Sequence, residues 1–410
     1  MHIVYHVMGM PFDGDTIEQR SLGGSESAAY YQARELAARG HRVTLFTTTD
    51  KDMERDGVAY MSVGGVTKET PLGDRFEYYA KHTPHDVLIV QRHPQAFHNQ
   101  FASKINILQL HDLGLHRTSG VMNHGMWNID AVTAVSQWHK KQLCDVYGFN
   151  EKVVSVVPNG VDPELYVNAI LDEKVAVTLN GKGSFSMLYQ SRPERGLENL
   201  LKSDGIMSRL QDTEAHLLVC GYDNTVPQMR GYYSMLERWA KELGNVTWLK
   251  SLTKAQLAGV QKTCDLLVYP TEFEEVSCIT AMEAMHAGLP MLTTQTGALP
   301  ETCEGSGTCY ASFQPDGKVS VDSFVRVIKR FMDGPREKKN LQNLRELQLK
   351  AAHRKTWVQA VDQLELVIRD AFDKRKGSVE AQLRHCLEFS DVGLVEQIIP
   401  EEPSAIEQQA

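Results

Sequence analysis

The chain has 410 residues, of which 42% are hydrophobic and 23% charged, and this length and composition predict a soluble globular protein with two domains. Its formal net charge of −9 disfavours a general polyanion binder. Seven cysteines without metal-like spacing favour reduced thiols in a cytoplasm over a disulfide framework. No apolar run approaches the ~18–20 residues that span a bilayer, and the N-terminal MHIVYHVM lacks the basic start of a signal peptide.

The first part of the chain alternates short β-branched segments with amphipathic helical patterns. Buried strands are predicted at 2–8, 42–48, 86–91, 105–111, 130–136 and 152–158. The clearest helix is predicted over 25–39, where Ala29, Ala33 and Leu36 share one stripe and Gly40 provides the stop signal. This alternation predicts an α/β fold with a mostly parallel, doubly wound sheet.

The alternation lapses over the turn-rich segment 159–184 and then restarts. A second set of strands is predicted at 185–191, 215–221, 246–251, 266–270 and 290–295, and residues 318–375 are predicted to be mainly helical. Thr253 and Gln256 form a capping box that starts one of the helices. We therefore predict two doubly wound units with a cleft between them, divided into domains at 1–168 and 169–354, with a tail or linker over 376–410.

Two glycines, Gly23 and Gly24, stand at a strand-to-helix turn in the segment SLGGSESAAYYQARELAARGHRV (21–43). Glycine lets a backbone approach a ligand closely, and the free N–H groups of a helix start attract anions. The alternative is a tight turn without a ligand. The segment is not the G-x-G-x-x-G of a dinucleotide site, which disfavours an NAD-dependent oxidoreductase.

Charged and titratable side chains follow two other predicted strands. Arg192 and Arg195, in YQSRPERGLENLL, offer forks of N–H donors that suit a diphosphate, with surface arginines as the alternative. His111 and Asp112, in LQLHDLG, end a strand of the first unit. A lone histidine is more often structural than functional.

The segment TEFEEVSCITAMEAMHAGLP (271–290) places one acid before a helix and another inside it. The helix is predicted to begin near Ser277, so Glu275 lies in the preceding loop and Glu283 nearly two turns in. Roughly six acid pairs at this spacing are expected by chance in a chain of this composition, so the spacing alone decides nothing. A carboxylate beside an anion site is accounted for if it accepts hydrogen bonds from sugar hydroxyls.

The backbone N–H groups around Ser277, Cys278 and Ile279 are the expected unsatisfied donors of that helix start, where an anion could bind. The alternatives are an exposed helix residue for Glu283 and a small apolar filler for Cys278.

Taken together, these segments resemble the retaining nucleotide-sugar glycosyltransferases of the GT-B fold, specifically family 4. The similar blocks are GGSESAAYYQARELAARGHRVTLF, AVTAVSQWHKKQL, VVPNGVD, SRPERGL and YPTEFEEVSCITAMEAMHAGLPMLTT, in the family's order over roughly residues 1–370. Glu275 and Glu283 match the family's E-x7-E motif. The resemblance implies two Rossmann-like domains facing across a cleft, with C-terminal helices at about 355–375 packing back on the first domain.

The resemblance also implies roles for the candidate residues. Glu283 would bind the ribose hydroxyls of the nucleotide, and Glu275 would hold the transferred sugar together with the backbone of Ser277, Cys278 and Ile279. Arg192 and Arg195 would neutralise the leaving diphosphate, Gly23 and Gly24 would face the donor phosphates and the acceptor, and His111 would lie near the donor sugar. Two features depart from the family: SRPERG is shorter than the usual basic pair, and Ser277-Cys278 replaces the usual Phe-Gly.

The implied reaction transfers a hexose or pentose from a nucleotide-diphosphate sugar, with UDP- and GDP-sugars the expected donors, to a hydroxyl acceptor with retained configuration. It requires no cofactor, no metal and no protein nucleophile. The acceptor stays open among a saccharide, a lipid, a small molecule, a protein and a modified nucleic-acid base. The alternatives are a sugar-nucleotide epimerase or a phosphorylase-like enzyme of the same fold, and a non-catalytic nucleotide-sugar-binding protein.

Overall fold

The computed structural model describes residues 1–114, 126–173, 175–176, 184–220, 227–249 and 251–375, with the side chains of 334–338 left aside. The predicted tail at 376–410 lies outside these residues. Within them, no helix combines the length and the hydropathy needed to cross a bilayer.

One sheet is built from the first part of the chain, and we call it, with the helices packed on it, the first unit. Its strands are β1 (His2–Val7), β2 (Arg42–Thr47), β3 (Met53–Arg55), β4 (Val58–Ser62), β5 (His85–Gln91), β6 (Ser103–Gln109), β7 (Ala131–Ala134) and β8 (Val154–Val156). They lie in the order β3-β4-β2-β1-β5-β6-β7-β8, parallel except for the antiparallel pair β3–β4.

A second sheet, the second unit, is parallel throughout. Its strands are β9 (Phe185–Tyr189), β10 (Ala215–Cys220), β11 (Val246–Leu249), β12 (Leu266–Tyr269), β13 (Met291–Thr293) and β14 (Cys309–Tyr310), in the order β11-β10-β9-β12-β13-β14. Every residue of β10 and β12 is buried, as expected for a parallel sheet with helices on both faces. Each predicted strand is found, and no predicted end differs by more than two residues from the observed one.

Helices connect and cover the strands. They are α1 (Thr16–Gln19), α2 (Gly24–Ala38), α3 (Asp74–His82), α4 (Gln137–Tyr147), α5 (Glu164–Val167), α6 (Leu197–Leu201), α7 (Arg230–Leu243), α8 (Lys254–Thr263), α9 (Ile279–Ala287), α10 (Leu299–Thr302), α11 (Val321–Met332), α12 (Gly334–Ala352) and α13 (Trp357–Arg375). The predicted capping box at Thr253 and Gln256 is confirmed at the start of α8. Helix α9 begins at Ile279, two residues later than predicted, because Cys278 keeps an extended backbone as its N-cap.

The strand order reverses at one point in each sheet. In the first unit β1 pairs with both β2 and β5, and in the second β9 pairs with both β10 and β12. Ligands of doubly wound sheets bind beyond the carboxyl ends of the strands at such a reversal. The loops after β1, β5, β9 and β12 are therefore where a site is expected.

The chain returns to the first unit after α12. Helix α13 packs on α2, where the rings of Trp357 and Tyr31 stack with their centroids 5.4 Å apart. Where the chain returns, Gly160 and the start of α13 cross in close contact. A Cβ on Gly160 would lie only 2.3 to 2.6 Å from the backbone of Thr356 and Trp357. The return of the C-terminal helix is confirmed, whereas the division at residues 168 and 169 stays a prediction.

We predict that Gly160→Ala destabilises the protein by about 3 kcal/mol, because the new methyl group meets backbone that has nowhere to move. The matched control is Gly231→Ala in α7, where nothing lies within 4 Å of the new Cβ and alanine favours the helix. Urea unfolding checks both variants. Equal midpoints for the two would contradict the close crossing.

Candidate active site

The loops after β9 and β12 bring Arg195 and Glu275 together at the reversal of the second sheet. The Arg195 guanidinium donates from Nη1 to Oε1 of Glu275 at 2.9 Å, and the Tyr269 hydroxyl donates to the same oxygen. Glu275 is only 5% exposed. Among the described residues Oε2 accepts no hydrogen bond, so this oxygen is available to a ligand.

Arg195 is held by more than its carboxylate partner. Its guanidinium carbon lies 4.0 Å from the centre of the Phe273 ring, within range of a cation–π interaction. Burial opposes its charge, but Glu275 more than compensates, and the pKa of Arg195 is raised above its usual value. Arg192 has a different carboxylate partner, since its Nε lies 2.7 Å from Oε1 of Glu194. The structure therefore pairs Arg195 with Glu275, and Arg192 with Glu194.

Glu283 is buried on the inner face of α9, at 5% exposure, and is not the exposed helix residue of the alternative interpretation. Lys254, the first residue of α8, donates to its Oε1, and Gln190 donates to its Oε2 at 3.0 Å. Gln261 in turn donates to Gln190 at 2.8 Å and fixes that amide. A carboxylate has about four acceptor positions, so Glu283 keeps capacity for further hydroxyl donors.

Two helix starts face each other across the cleft. Gly24 is the first residue of α2 and Ile279 the first of α9, and a Cβ on Gly24 would lie 3.6 Å from the Ile279 side chain. Within the described residues, neither N-cap side chain accepts a hydrogen bond from the first N–H groups of its helix. Both macrodipoles favour negative charge at this position.

The segment before α9 is bound by a residue of the first unit. Asn159 of the first unit donates from Nδ2 to the carbonyl oxygen of Ser277 at 3.3 Å. Cys278 is 3% exposed, and burial, the largest cause, raises the pKa of its thiol. The cysteine therefore has the character of the small apolar filler that the alternative interpretation gave it.

Glu26 gives the glycine turn its shape. A Cβ on Gly23 would lie 2.3 Å from its Oε2, and one on Gly9 would lie 2.3 Å from its Oε1. The Met10 N–H donates to Oε1 at 3.2 Å, and the Ser25 hydroxyl donates to Oε2 at 3.1 Å. The space beside Gly23 is therefore filled by a carboxylate of the protein, and Gly24 is the glycine that faces the cleft.

His111 follows β6 by two residues. Its Nε2 is buried and has no hydrogen-bond partner within the described part of the chain. Burial lowers the pKa of His111 to about 4, so the ring is neutral at pH 7. Asp112 beside it forms an ion pair with Arg92, which adopts a left-handed backbone (φ 68°) at the reversal of the first sheet.

His139 binds the backbone of the loop that carries His111 and Asp112. The Val135 N–H donates to its Nδ1 at 3.3 Å, which leaves Nε2–H to donate to the carbonyl oxygen of Asp112 at 2.8 Å. Burial lowers the pKa of His139 to about 4. The ring is thus neutral in one tautomer at pH 7.

A pocket of about 220 Å³, counting its solvent-open part, lies between the units. It is lined by side chains of α2, α8, α9 and α13 and by the crossing at 160–162, including Ser27, Tyr31, Asp162, Lys254, Glu283 and Trp357.

The amino-acid sequence matches two family models that follow each other along the chain. Residues 22–165 match Glycosyltransferase Family 4, and residues 174–346 match Glycosyl transferases group 1. Together the two matches span more than three quarters of the 410 residues. The chain belongs to glycosyltransferase family 4.

Named relatives of this family member share part of its length. It is 25% identical over 226 residues to a lipopolysaccharide 1,2-N-acetylglucosaminetransferase of Salmonella typhimurium, covering 54% of this chain and 58% of that protein. It is 25% identical over 216 residues to an MMP alpha-(1->4)-mannosyltransferase of Mycolicibacterium hassiacum, covering 52% and 48%. The chain thus spans about half the length of the curated relatives it matches.

Solved structures show the GT-B fold over nearly the whole family member. A sucrose-phosphate synthase of Thermosynechococcus elongatus matches with a TM-score of 0.68 at 18% identity, over 91% of this chain and 99% of that one. Anabaena HepE in complex with UDP-glucose matches with a TM-score of 0.68 at 16% identity, over 90% and 100%. The predicted fold of two Rossmann-like units is confirmed.

Sequence reasoning missed the partners that hold the two acids. Lys254, Gln190 and Tyr269 lie 29, 93 and 6 residues from the carboxylates they bind. Only the position of Lys254 at the capped start of α8, at the cleft edge of the sheet, offered a local signal.

We predict that acid destabilises the protein partly through His139. Its pKa is about 4 when folded and about 6.5 when unfolded, so the unfolded state binds the extra proton between these values. Stability therefore falls as the pH falls from 6.5 to 4, by up to about 1.4 kcal/mol per pH unit for one such residue. Urea unfolding at pH 7, 6 and 5 should show a shallower loss for His139→Gln than for wild type. Parallel losses would contradict a neutral His139.

Proposed function

We propose that the protein is a retaining glycosyltransferase that moves a sugar from a nucleotide-diphosphate sugar, a UDP- or GDP-sugar, to a hydroxyl acceptor. The observation that carries the proposal is the facing pair of uncapped helix starts at Gly24 and Ile279, which lies with the Arg195–Glu275 pair at the strand-order reversal. Family membership and the fold of HepE with UDP-glucose support a nucleotide-sugar donor.

Glu283 and Glu275 bind different parts of the donor. Glu283, held by Lys254 and Gln190, accepts hydrogen bonds from the ribose hydroxyls. Glu275 accepts a hydrogen bond from a hydroxyl of the transferred sugar on its free Oε2. The neutral His111 ring lies near the same sugar.

The leaving group is stabilised by fixed positive charge. As the bond between sugar and diphosphate breaks, negative charge develops on the diphosphate, and Arg195 and the N–H groups of α2 and α9 are already oriented toward it. Arg192, partly exposed beside Glu194, is the second cation of this group. The acceptor hydroxyl attacks on the face that the diphosphate leaves, and a diphosphate oxygen takes the proton. This reaction needs no metal, cofactor or protein nucleophile.

The acceptor binds on the first unit, beyond β1, β5 and β6. A saccharide or polyol is the acceptor class that the relatives favour, since one is named for lipopolysaccharide and another is a D-inositol 3-phosphate glycosyltransferase of Corynebacterium glutamicum. A cytoplasmic location, favoured by the reduced cysteines, belongs to the same proposal.

A thermal-shift panel of UDP-, GDP- and ADP-sugars tests the donor class. Stabilisation by one nucleotide family identifies the donor, because a ligand that binds only the folded state raises the melting temperature. Release of nucleoside diphosphate from that sugar then separates a transferase from an epimerase and from a binding protein. No shift with any nucleotide sugar would contradict the proposal.

We predict that Arg195→Ala and Glu283→Gln each lower nucleoside-diphosphate release by about two orders of magnitude, because each removes a contact to the donor in a buried site. Glutamine preserves the volume at Glu283 and avoids a void beside Lys254. Arg238→Ala, an exposed arginine of α7, is the matched control and should keep wild-type turnover. Near-normal turnover in both site variants would contradict the assignment.

A further inference from the structure

Glu301 caps a helix of the other unit. It lies on α10 in the second unit, and its two carboxylate oxygens accept from the N–H groups of Gln137 at 2.8 Å and Trp138 at 2.9 Å. These are the first two N–H groups of α4 in the first unit, and no residue within a helix can satisfy them. A carboxylate at this end is also favoured by the macrodipole.

The cap of α4 is divided between a local and a distant residue. Ser136, the N-cap, accepts only the third N–H, that of His139, at 2.9 Å. The first two depend on Glu301, more than 160 residues away in the sequence. The start of α4 is therefore complete only when the two units are in contact.

The segment that carries Glu301 is attached directly to the donor site. The Ala298 N–H donates to the carbonyl oxygen of Glu275 at 2.6 Å. Gly297 has a φ of 58°, and a Cβ there would lie 2.4 Å from the same carbonyl oxygen. Glu301 is therefore only three residues along the chain from Ala298, whose N–H is bonded to the backbone of Glu275.

Helix α4, which Glu301 caps, is in turn bound to the loop that carries His111. Helix α4 contains His139, whose Nε2–H donates to the carbonyl oxygen of Asp112 at 2.8 Å. A displacement of α4 relative to the second unit would therefore move His111 relative to Glu275.

We propose that Glu301 is a positioning residue, which fixes α4 against the Glu275 loop and so sets the distance between the first unit's His111 loop and the transferred sugar. This role rests on the proposed function, because it has meaning only for a reaction across the cleft. Glu301 itself contacts neither donor nor acceptor.

Residue-resolved amide hydrogen exchange tests the cap. In Glu301→Ala the Gln137 and Trp138 amides should exchange about tenfold faster, while His139 keeps its protection. Ser136→Ala is the matched control and should show the reverse pattern, since Ser136 serves only His139. Unchanged protection of Gln137 and Trp138 in Glu301→Ala would overturn the proposal.

Donor kinetics test the positioning role. Glu301→Ala should lower nucleoside-diphosphate release about tenfold or more, while the dissociation constant of the nucleoside diphosphate stays within about twofold, because the donor contacts themselves are intact. Glu301→Gln should recover part of the turnover, since its amide oxygen accepts one of the two N–H groups. Glu304→Ala, an exposed acid three residues on, should match wild type.

The outcomes separate this inference from the proposed function. Wild-type turnover in Glu301→Ala, or a dissociation constant that rises in step with the loss of turnover, would overturn the positioning role alone. Failure of the wild-type protein to bind any nucleoside diphosphate would overturn the proposed function and the positioning role with it. The amide exchange would still decide whether Glu301 caps α4.

Discussion

Two buried carboxylates set the constraint on which the cleft depends. Glu275 and Glu283 are each about 95% removed from solvent, and a buried charge is tolerated only when it is paired and hydrogen-bonded. Arg195 and Lys254 supply the pairing, with Tyr269 and Gln190 completing the hydrogen bonds. The cations that balance the buried acids are thus already in place around the position proposed for an anionic ligand.

The proposed site also includes residues of the first unit. The second unit supplies the acids and their cations, but the opposing helix start at Gly24 belongs to the first unit, and its turn is shaped by the buried Glu26. Gly160 lies against the start of α13 where the chain returns to the first unit, and Glu301 of the second unit caps α4 of the first. The charges of the two acids are balanced within the second unit, whereas the shape of the cleft depends on both units.

The sequence predicted the elements well because strands and helix starts are local signals. Buried β-branched runs, the Thr253–Gln256 box and the Gly24 turn all act within a few residues. The strands Met53–Arg55, Val58–Ser62 and Cys309–Tyr310 were missed, because segments of two to five residues are too short to show a clear apolar pattern. The pairings of Glu283 with Lys254 and of Glu301 with α4 could not be predicted, because they form only after distant segments have folded together.

We propose that an anionic diphosphate lies between the starts of α2 and α9. A crystal structure with a bound nucleoside diphosphate tests it most directly. We expect the terminal phosphate within hydrogen-bond distance of the N–H groups near Gly24 and Ile279 and of the Arg195 guanidinium, with the ribose hydroxyls on Glu283. A nucleotide bound elsewhere, or one whose phosphates leave Arg195 and both helix starts untouched, would contradict it.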